Sequence, residues 1–420
     1  MIGGTHRLPI ALRYAPTDAG RRGRSRPRRC AQEADVVDLT HSSPIAREQS
    51  GAATIRAALP PIAAIDGDAW RDLAGRVVEP NGYYLPEWTN AANGDPRARA
   101  ATRALIAHDA AGALTGLLPV LSAWQAFRLP LPVLVSADPF RSLDTPLLDR
   151  ANAARAAATM FAQARAAGAR ALLLRDVARD GDAVRVLSGV AAAEGLAPVL
   201  LRGWSRACLD ATRDGDELLR DALGGKRLKE YRRLMRRLGD HGEARFTMAQ
   251  TPDAVAQAYD VFLALEASGW KGRRGTALLH QPELAARLRQ AAVALAARGA
   301  CEIALLHAGE GPIAAGIVLR HGDRAYFFKL GIAESFARHS PGVLLTLELT
   351  RHLCADPAIN LVDSTAAPDH PMIDPIWRGR FAVGDLLIPL RPRDPLFGPI
   401  TLALRAREAL RQTAKRLLKR

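Results

Sequence analysis

The chain has 420 residues, 48% of them apolar and 24% charged, with a formal net charge of +15 and a pI near 10.4. That length exceeds one ordinary domain and that apolar fraction supplies real cores, so two domains plus a tail are expected and a wholly disordered or fibrous chain is excluded. The cationic excess predicts attraction to polyanions such as nucleic acid, anionic lipid or phosphate-bearing cofactors, although an Ala- and Arg-rich, Lys-poor composition accounts for part of it.

Cys30, Cys208, Cys301 and Cys354 are scattered without a C-x-x-C pair, and no histidine cluster shows ligand spacing. Neither a disulfide framework nor a metal site is therefore expected, and a reducing cytoplasm fits. No apolar run reaches the roughly 18 residues of a membrane span, and the N-terminus lacks the apolar core of a secretory signal. The expectation is a soluble, cytoplasmic protein.

Residues 1–60 include "GRRGRSRPRRC" and "THSSPIAREQSG", polar and Arg/Ser/Pro-rich without a sustained period. They read as a disordered basic arm. Over 61–210 the pattern alternates. "AAIDGDAWRDLA" predicts a short strand, an Asp cap and a helix; "TRALIAHDAAGALTGLLPVLSAW" predicts two strands about a turn at Ala110 to Gly112; "PVLVSADPF" predicts a third strand. A helix from Pro146 to Ala166, the strand "RALLLRD", a helix through "AVRVLSGVAAAEG" and the strand "APVLLRGWS" complete this half.

Over 214–392 the order returns. The helix "KRLKEYRRLMRRLGDHG" precedes the strand "ARFTMAQ", two helices follow, and "CEIALLHAGEGPIAAGIVLRHGDRAYFFKLGI" gives a three-strand meander. The stretch "YFFKLGIAESFARHSPGVLLTLELTRHLC" then turns from an apolar strand into a helix. Ser340 suits the N-cap, Pro341 the first helical position, and Gly342 lets something approach the backbone closely. The strand "INLVDST", a short helix "MIDPIWRGR" and the strand "VGDLLIPL" follow, and the segment 396–420, which contains "ITLALRAREALRQTAKRLLKR", reads as a basic amphipathic helix compatible with peripheral membrane contact. "AHDAAGALTGLLPV" matches "LHAGEGPIAAGIVL", "TPLL" at 145–148 takes the place of "SPGVLL", and "ALLLRDV" that of "NLVDSTA", which implies an internal duplication.

Several polar residues stand where chemistry could use them. Glu266 ends an apolar helical face in "FLALEASGWKG", followed by Trp270 and Lys271, a set suited to an acceptor pocket or simply to a helix terminus with a packed indole. Trp377 and Arg378 could bring an indole wall and a planar cation, and His370 could shuttle a proton or merely be solvated. Arg232 and Arg236 belong to a run of seven cations on one helix, against Glu230, that could hold a nucleotide-sugar, a tRNA or an anionic glycan.

The order of meander, loop, helix, strand, helix and last strand resembles the GNAT acetyltransferase fold. With "KRLKEYRRLMRRLGDHG", "FLALEASGWKGRRGTAL", "ARHSPGVLL" and "DSTAAPDHPMIDPIWRGR", the second half resembles the CelD-like branch of that superfamily, which is related to the FemAB-like tandem-GNAT transferases of cell-wall biosynthesis. The resemblance implies an α/β fold with tandem GNAT-like domains, each a mixed, mostly antiparallel sheet flanked by helices: a degenerate domain at 61–210 and an acyltransferase domain at 214–392. It places the pyrophosphate of acetyl-CoA or another acyl-CoA against Arg338, His339, Ser340, Gly342 and Val343, with no metal. The usual loop has an Arg or Gln followed by two spaced glycines, whereas here Arg338 is followed by His339, Ser340, Pro341 and one glycine. The first half, with Thr145 and Pro146 leading into Leu147, lacks even that glycine, so its cofactor site is expected to be lost.

In this fold the chemistry lies where the strand before the loop and the strand after its helix splay apart. That makes Asp363 the first choice for a base or amine-orienting carboxylate, with a loop cap as the alternative. The expected function is acyl transfer from acyl-CoA to an amine or hydroxyl on a small-molecule or glycan acceptor, with cell-surface polysaccharide metabolism as the context. Its rivals are a FemAB-like aminoacyl-tRNA-dependent ligase, the one case in which nucleic acid is a partner, and a non-catalytic glycan-binding or scaffold module.

Overall fold

Segments that alternate apolar and polar residues between Gly, Pro and Asp punctuation become strands, and those with helical spacing become helices, throughout residues 59–93 and 102–418, the part of the chain that the computed structural model describes. Apart from Leu59 and Pro60, the arm expected at 1–60 lies outside the described residues. Ile62–Ala64 is a 3-10 turn where a strand was expected, because only Pro61 finds a bridge partner, Arg103. The Asp66 carboxylate accepts the amides of Asp68 and Ala69 and starts α1, Gly67–Ala74. A second 3-10 turn, Gly82–Tyr84, leads to α2, Pro86–Ala92, and the two bury Tyr83, Tyr84 and Trp88.

β1 (Arg103–His108) and β2 (Leu114–Ser122) form the expected hairpin, and Ser122 and Gln125 box the start of α3, Ala123–Phe127. β3 (Val133–Ser136) follows. The helix expected from Pro146 starts later. Leu147 and Leu148 form β4 by pairing with Leu117 and Gly116, and Asp149 Oδ1 then accepts the amides of Ala151 and Asn152, which defers α4 to Ala153–Ala166. β5 (Ala171–Ala178), α5 (Asp182–Ala193) and β6 (Val199–Asp210) complete the first half.

The second half opens on α6 (Gly215–Leu238), capped by Asp214 and kinked at Gly224, whose φ of 69° suits a residue without Cβ. β7 (Ala244–Ala249), α7 (Pro252–Ser268), the short α8 (Trp270–Arg273) and α9 (Pro282–Ala296) precede the meander of β8 (Cys301–Ala308), β9 (Gly311–His321) and β10 (Arg324–Ile332). After a 3-10 segment, Glu334–His339, come α10 (Pro341–Cys354), β11 (Leu361–Asp363), β12 (Gly379–Pro389) and α11 (Phe397–Leu418). The helix expected at "MIDPIWRGR" is not formed. One turn, with the Trp377 amide donating to Ile373, is all that fits before Gly379 joins the sheet opposite Cys208.

The strands form one mixed, mostly antiparallel sheet in the order β1-β2-β3-β5-β12-β6-β11-β10-β9-β8-β7, with β4 on β2. Only β3 with β5 and β10 with β11 run parallel, so each half repeats an antiparallel run ending in a parallel pair. Beyond each pair the halves exchange their last strands: β12 lies on β5, β6 lies on β11, and β6 and β12 pair with each other at the centre. Alternation along β5 sends Leu172 and Leu174 to a core shared by both halves and Ala171 and Leu173 to the opposite face under α11. On that opposite face the second half has its own core, beneath α6 and α10.

The segment after α1 is fastened to the β9–β10 turn. The buried His321 accepts the Asn81 amide on Nδ1 at 2.9 Å and donates from Nε2 to Ala74 O at 2.8 Å, while Arg324 pairs with Glu79 at 2.8 Å. Burial lowers the His321 pKa, so the folded state holds the ring neutral and the unfolded state takes up the proton first. His321→Ala leaves both backbone groups without their partner and should destabilise by about 2–4 kcal/mol. The wild type should lose stability as the pH falls below about 6.5, the unfolded value, and denaturant midpoints across that range should fall less steeply in the variant.

Candidate functional site

The start of α10 is built unlike an ordinary capped helix. Ser340 stands at the N-cap with φ 53° and its hydroxyl makes no capping bond, so the expected capping role is not realised. Gly342 is needed for a different reason from the one its sequence context implied. A Cβ there would lie 2.9 Å from Leu330 Cδ2 and 3.2 Å from Met372 Sδ, so what approaches its backbone is the end of β10 and the loop before β12. Val343, partly buried, packs on the core of this half.

Beside that helix start lies a basic cavity of about 440 Å³, lined by Leu234, Arg237, Asp240, His241, Arg338 and His339. Arg338 Nε donates to His339 Nε2 at 3.0 Å, which puts the proton of a neutral ring on Nδ1. That Nδ1 is buried and has no hydrogen-bond partner among the described residues. Burial first, then Arg338, His241 and Arg237, push the His339 pKa below its ordinary value, against a weaker pull from Asp240. The His241 ring stands 5.4 Å from the His339 ring. Two guanidinium groups and an unsatisfied N–H, against the one carboxylate of Asp240, give this cavity the chemistry to hold an anion.

Behind it, β10 and β11 pair as far as Tyr326 and Asp363 and then part. A bulge at Phe328 marks the departure. Thr365, at φ 52°, donates from Oγ1 to Phe327 O at 3.0 Å and stands 2.9 Å from Tyr83 OH, so the tyrosine donates to the threonine and a polar strap crosses the gap. Lys329 lies over the rings of Phe328 and Phe140, at 5.5 and 5.9 Å, with its Nζ 3.7 Å from Glu266 Oε1. Glu266 also accepts the Leu278 amide at 2.9 Å. A carboxylate, an ammonium and an aromatic wall drawn from both halves thus share one side of the parted strands.

Asp363 does not stand free. It is 1% exposed, pairs with Arg206 on β6 at 2.5 Å and accepts the Thr365 amide at 2.9 Å. Trp377 is core: its Nε1 donates to Thr350 Oγ1 at 2.9 Å and its ring packs 6.0 Å from Phe327. Arg378 lies at the surface and ties its loop to the Ala222 carbonyl. Arg232 and Arg236 are exposed on α6, where Arg233 pairs with Glu230. His370, with a pKa lowered by burial, accepts the Met372 amide on Nδ1 at 3.4 Å. Trp270 and Lys271 lie on α8, and their side chains fall outside the described residues. Tyr83, Phe140, Lys329 and Thr365 were not singled out from sequence. The aromatic pair in "NGYYLPEW" and the "FFK" that forms the bulge were the available signals. Among the described residues no group of three or more His, Cys, Asp or Glu side chains could hold a metal, and no helix is long and apolar enough to cross a membrane.

Residues 225–370 match the family model of the acetyltransferase (GNAT) domain. None of the curated proteins matches the sequence. Among solved structures, the chain resembles the C-terminal domain of a proposed lysylphosphatidylglycerol synthetase from Agrobacterium fabrum, with 13% identity, a TM-score of 0.51, and 80% of this chain and 93% of that one covered. It resembles FemX with 11% identity and a TM-score of 0.51 over 80% of this chain and 98% of that one. L-PGS from Bacillus licheniformis gives 12% and 0.51 over 81% and 96%. What these three share with the chain is the fold, a GNAT-like arrangement that runs through both halves.

Removing one member of a buried ion pair strands the other. Asp363→Asn should therefore destabilise the protein by about 3–5 kcal/mol, and Arg206→Met combined with Asp363→Leu should recover much of that. Urea unfolding of the three chains checks it. Unchanged stability in Asp363→Asn would instead return the carboxylate to the list of groups free for chemistry.

Proposed function

We propose that this chain is a tandem-GNAT acyltransferase of the CelD-like branch, whose second half moves an acyl group, acetyl in the simplest case, from acyl-CoA to an amine or hydroxyl acceptor in cell-surface polysaccharide metabolism. The observation that carries this reading is the basic cavity at the N-terminus of α10, within the span that matches the GNAT domain model. Arg237, Arg338 and the His339 Nδ1–H are suited to the donor's pyrophosphate, and the parted β10 and β11 to its thioester arm. When the acceptor nitrogen or oxygen attacks the thioester carbon, the new bond forms as the C–S bond breaks, the acceptor loses a proton and the thiolate gains one. In this reading Glu266, buried beside Lys329 and accepting the Leu278 amide, takes or relays the acceptor's proton, and Lys329 offsets the charge that develops. Asp363 acts in this reading as a positioning residue: through Thr365 it sets the strap that crosses the strand gap.

A second reading, a FemAB-like aminoacyl-tRNA-dependent ligase, draws on the exposed Arg232, Arg233, Arg236 and Arg237 of α6, a cationic strip longer than a pyrophosphate needs. A non-catalytic glycan-binding or scaffold module would take neither donor.

Arg237→Gln and Arg338→Gln should each weaken acetyl-CoA binding about tenfold or more, since a hydrogen bond to a charged group contributes about 1.5–3 kcal/mol, while circular dichroism stays unchanged. Retained affinity in folded variants would remove the donor from this cavity.

Donor binding should also take up a proton. A bound pyrophosphate favours charged His339, whose pKa in the free protein is lowered, so affinity should rise as the pH falls through and below the ordinary histidine value of about 6.5. Titration calorimetry on His339→Gln should show a shallower dependence. A compact donor should give a weak salt dependence, whereas a polynucleotide adds about 0.7–0.9 to the logarithmic slope per phosphate contacted. A steep slope for tRNA that disappears on replacing the four α6 arginines by Gln would favour the ligase.

A further inference from the structure

A second basic cavity is built from both halves, on the far side of the exchanged strands. It lies between α11 and the sheet face formed by β5, β6 and β12, and has a volume of about 480 Å³, within the usual range for small-molecule sites. Its lining includes Arg141, Arg175, Arg202, Arg405, Arg407 and Arg411, against two carboxylates, Asp385 and Glu408. Glu408 is shared between Arg202 at 3.3 Å and Arg411 at 3.8 Å, and Arg141 is paired with Asp176 at 3.0 Å. Asp385, which accepts the Asp176 amide, has its pKa raised by burial and by the Asp176 charge, so it neutralises the arginines less than a solvated carboxylate would.

Arg405 is exposed to solvent, which leaves Arg175 and Arg407. Neither is within ion-pair distance of a carboxylate among the described residues, and both lie over the Phe127 ring, at 5.6 and 3.9 Å. Burial and then the neighbouring Arg175 and Arg411 push the Arg407 pKa down, while burial and then Arg141 lower that of Arg411. Guanidinium groups keep their charge in proteins, so a cavity that crowds them needs a counter-anion. Phe127, Leu173, Leu201 and Leu404 add an apolar wall beside the cationic one. Such a site takes a planar or forked oxyanion bearing an apolar body.

We infer that this cavity binds a phosphate or pyrophosphate ester, at a site separate from the donor cavity at α10. The forked N–H groups of Arg175 and Arg407 receive the phosphoryl oxygens, and the wall formed by Phe127 and Leu404 receives the organic part.

The test is calorimetric titration of the full chain with inorganic pyrophosphate, the phosphoryl part of the ligand alone. Arg175→Gln and Arg407→Gln should each weaken one binding event tenfold or more, whereas Arg237→Gln, at the α10 cavity, should leave that event unchanged. Arg407→Lys should weaken it less than Arg407→Gln, because the charge remains although the fork is lost, and far-UV circular dichroism with a denaturant midpoint shows that each variant is folded. Phosphatidylcholine vesicles carrying phosphatidylglycerol supply the lipid source of the same chemistry. Displacement of pyrophosphate by these vesicles, lost in Arg175→Gln, supports the site with a headgroup as ligand. Pyrophosphate binding without displacement supports it with a soluble ester. Pyrophosphate binding that is the same in wild type and in a folded Arg175→Gln/Arg407→Gln chain overturns the inference. Absence of any event outside the α10 cavity does so too. Because Arg237→Gln reports on the α10 cavity alone, failure of either site is seen independently of the other.

Discussion

The central constraint of this fold is the exchange of last strands. β6 is covalently the end of the first half and β12 the end of the second, yet each runs along the other half's parallel pair, and the two run along each other. Without β12, β5 and β6 would present unpaired amides and carbonyls at the middle of the sheet, and without β6, β11 would do the same. The close approach is written into glycines. A Cβ on Gly379 would lie 2.6 Å from the Cys208 carbonyl oxygen, and one on Gly384 would lie 2.8 Å from Leu200 Cδ1. Neither half can therefore complete its sheet alone, which predicts one cooperative unfolding transition and slow folding through contacts distant in sequence.

The same exchange composes the candidate site. β6 carries Arg206 to Asp363, and Arg206 also donates to Ser142 O at 2.7 Å, so the loop after β3 is pinned against the parted strands of the second half. That loop delivers Phe140 to Phe328, at 5.0 Å, and to the Lys329 ammonium. The first-half loop has become unsuited to an anion of its own. Asp138 accepts the amides of Ser142 at 2.6 Å and Phe140 at 3.0 Å, so backbone donors that could hold a phosphate hold an internal carboxylate instead. Asp138 and Asp144 both have raised pKa values, from burial first, so the interior behind this loop, unlike the arginine-lined cavity under α11, disfavours negative charge. On this argument the first half contributes walls and fasteners to its partner's site.

How much of this could be read along the chain depends on the range of the interaction. The meander, the parallel pairs and the long helices are local patterns, and they appear where alternation and helical spacing put them. β4 was hidden because a two-residue strand has no periodicity, so the helix after it was begun too early. Asp363 looked like a base because a carboxylate at the end of an apolar strand is unusual. Its partner, Arg206, lies 157 residues away and belongs to the other half. Trp377 looked like a pocket wall because an indole in a polar loop suggests recognition, yet its ring closes the core and its N–H meets Thr350 on α10. Gly342 was rightly seen as a point of close approach, but local sequence does not say whether a ligand or the protein's own Leu330 and Met372 arrive there. Arg338 and His339 stand beside the start of α10 simply because they precede it in the chain.

The net charge of +15 is ambiguous as a composition, and the fold shows how the charges of the described residues are arranged. Many arginines are matched locally, as Arg76 is with Asp72, Arg289 with Asp260, and Arg351 with Asp216 and Glu348. Exposed pairs of this kind contribute little to stability, and they also project little field. Among the described residues, the arginines of the lining outnumber their counter-charges in the cavity at the start of α10 and in the one beneath α11, and both belong to the helical layer on the same face of the sheet, opposite the core that the halves share. Charges crowded into a cavity are screened less than charges on a convex surface, so their mutual repulsion is a standing cost of the free protein. An anion that enters relieves that cost as well as making its own contacts, which couples ligand binding to stability by ordinary mass action. Part of the basic character of this chain thus lines two cavities, the places proposed above for small phosphorylated ligands.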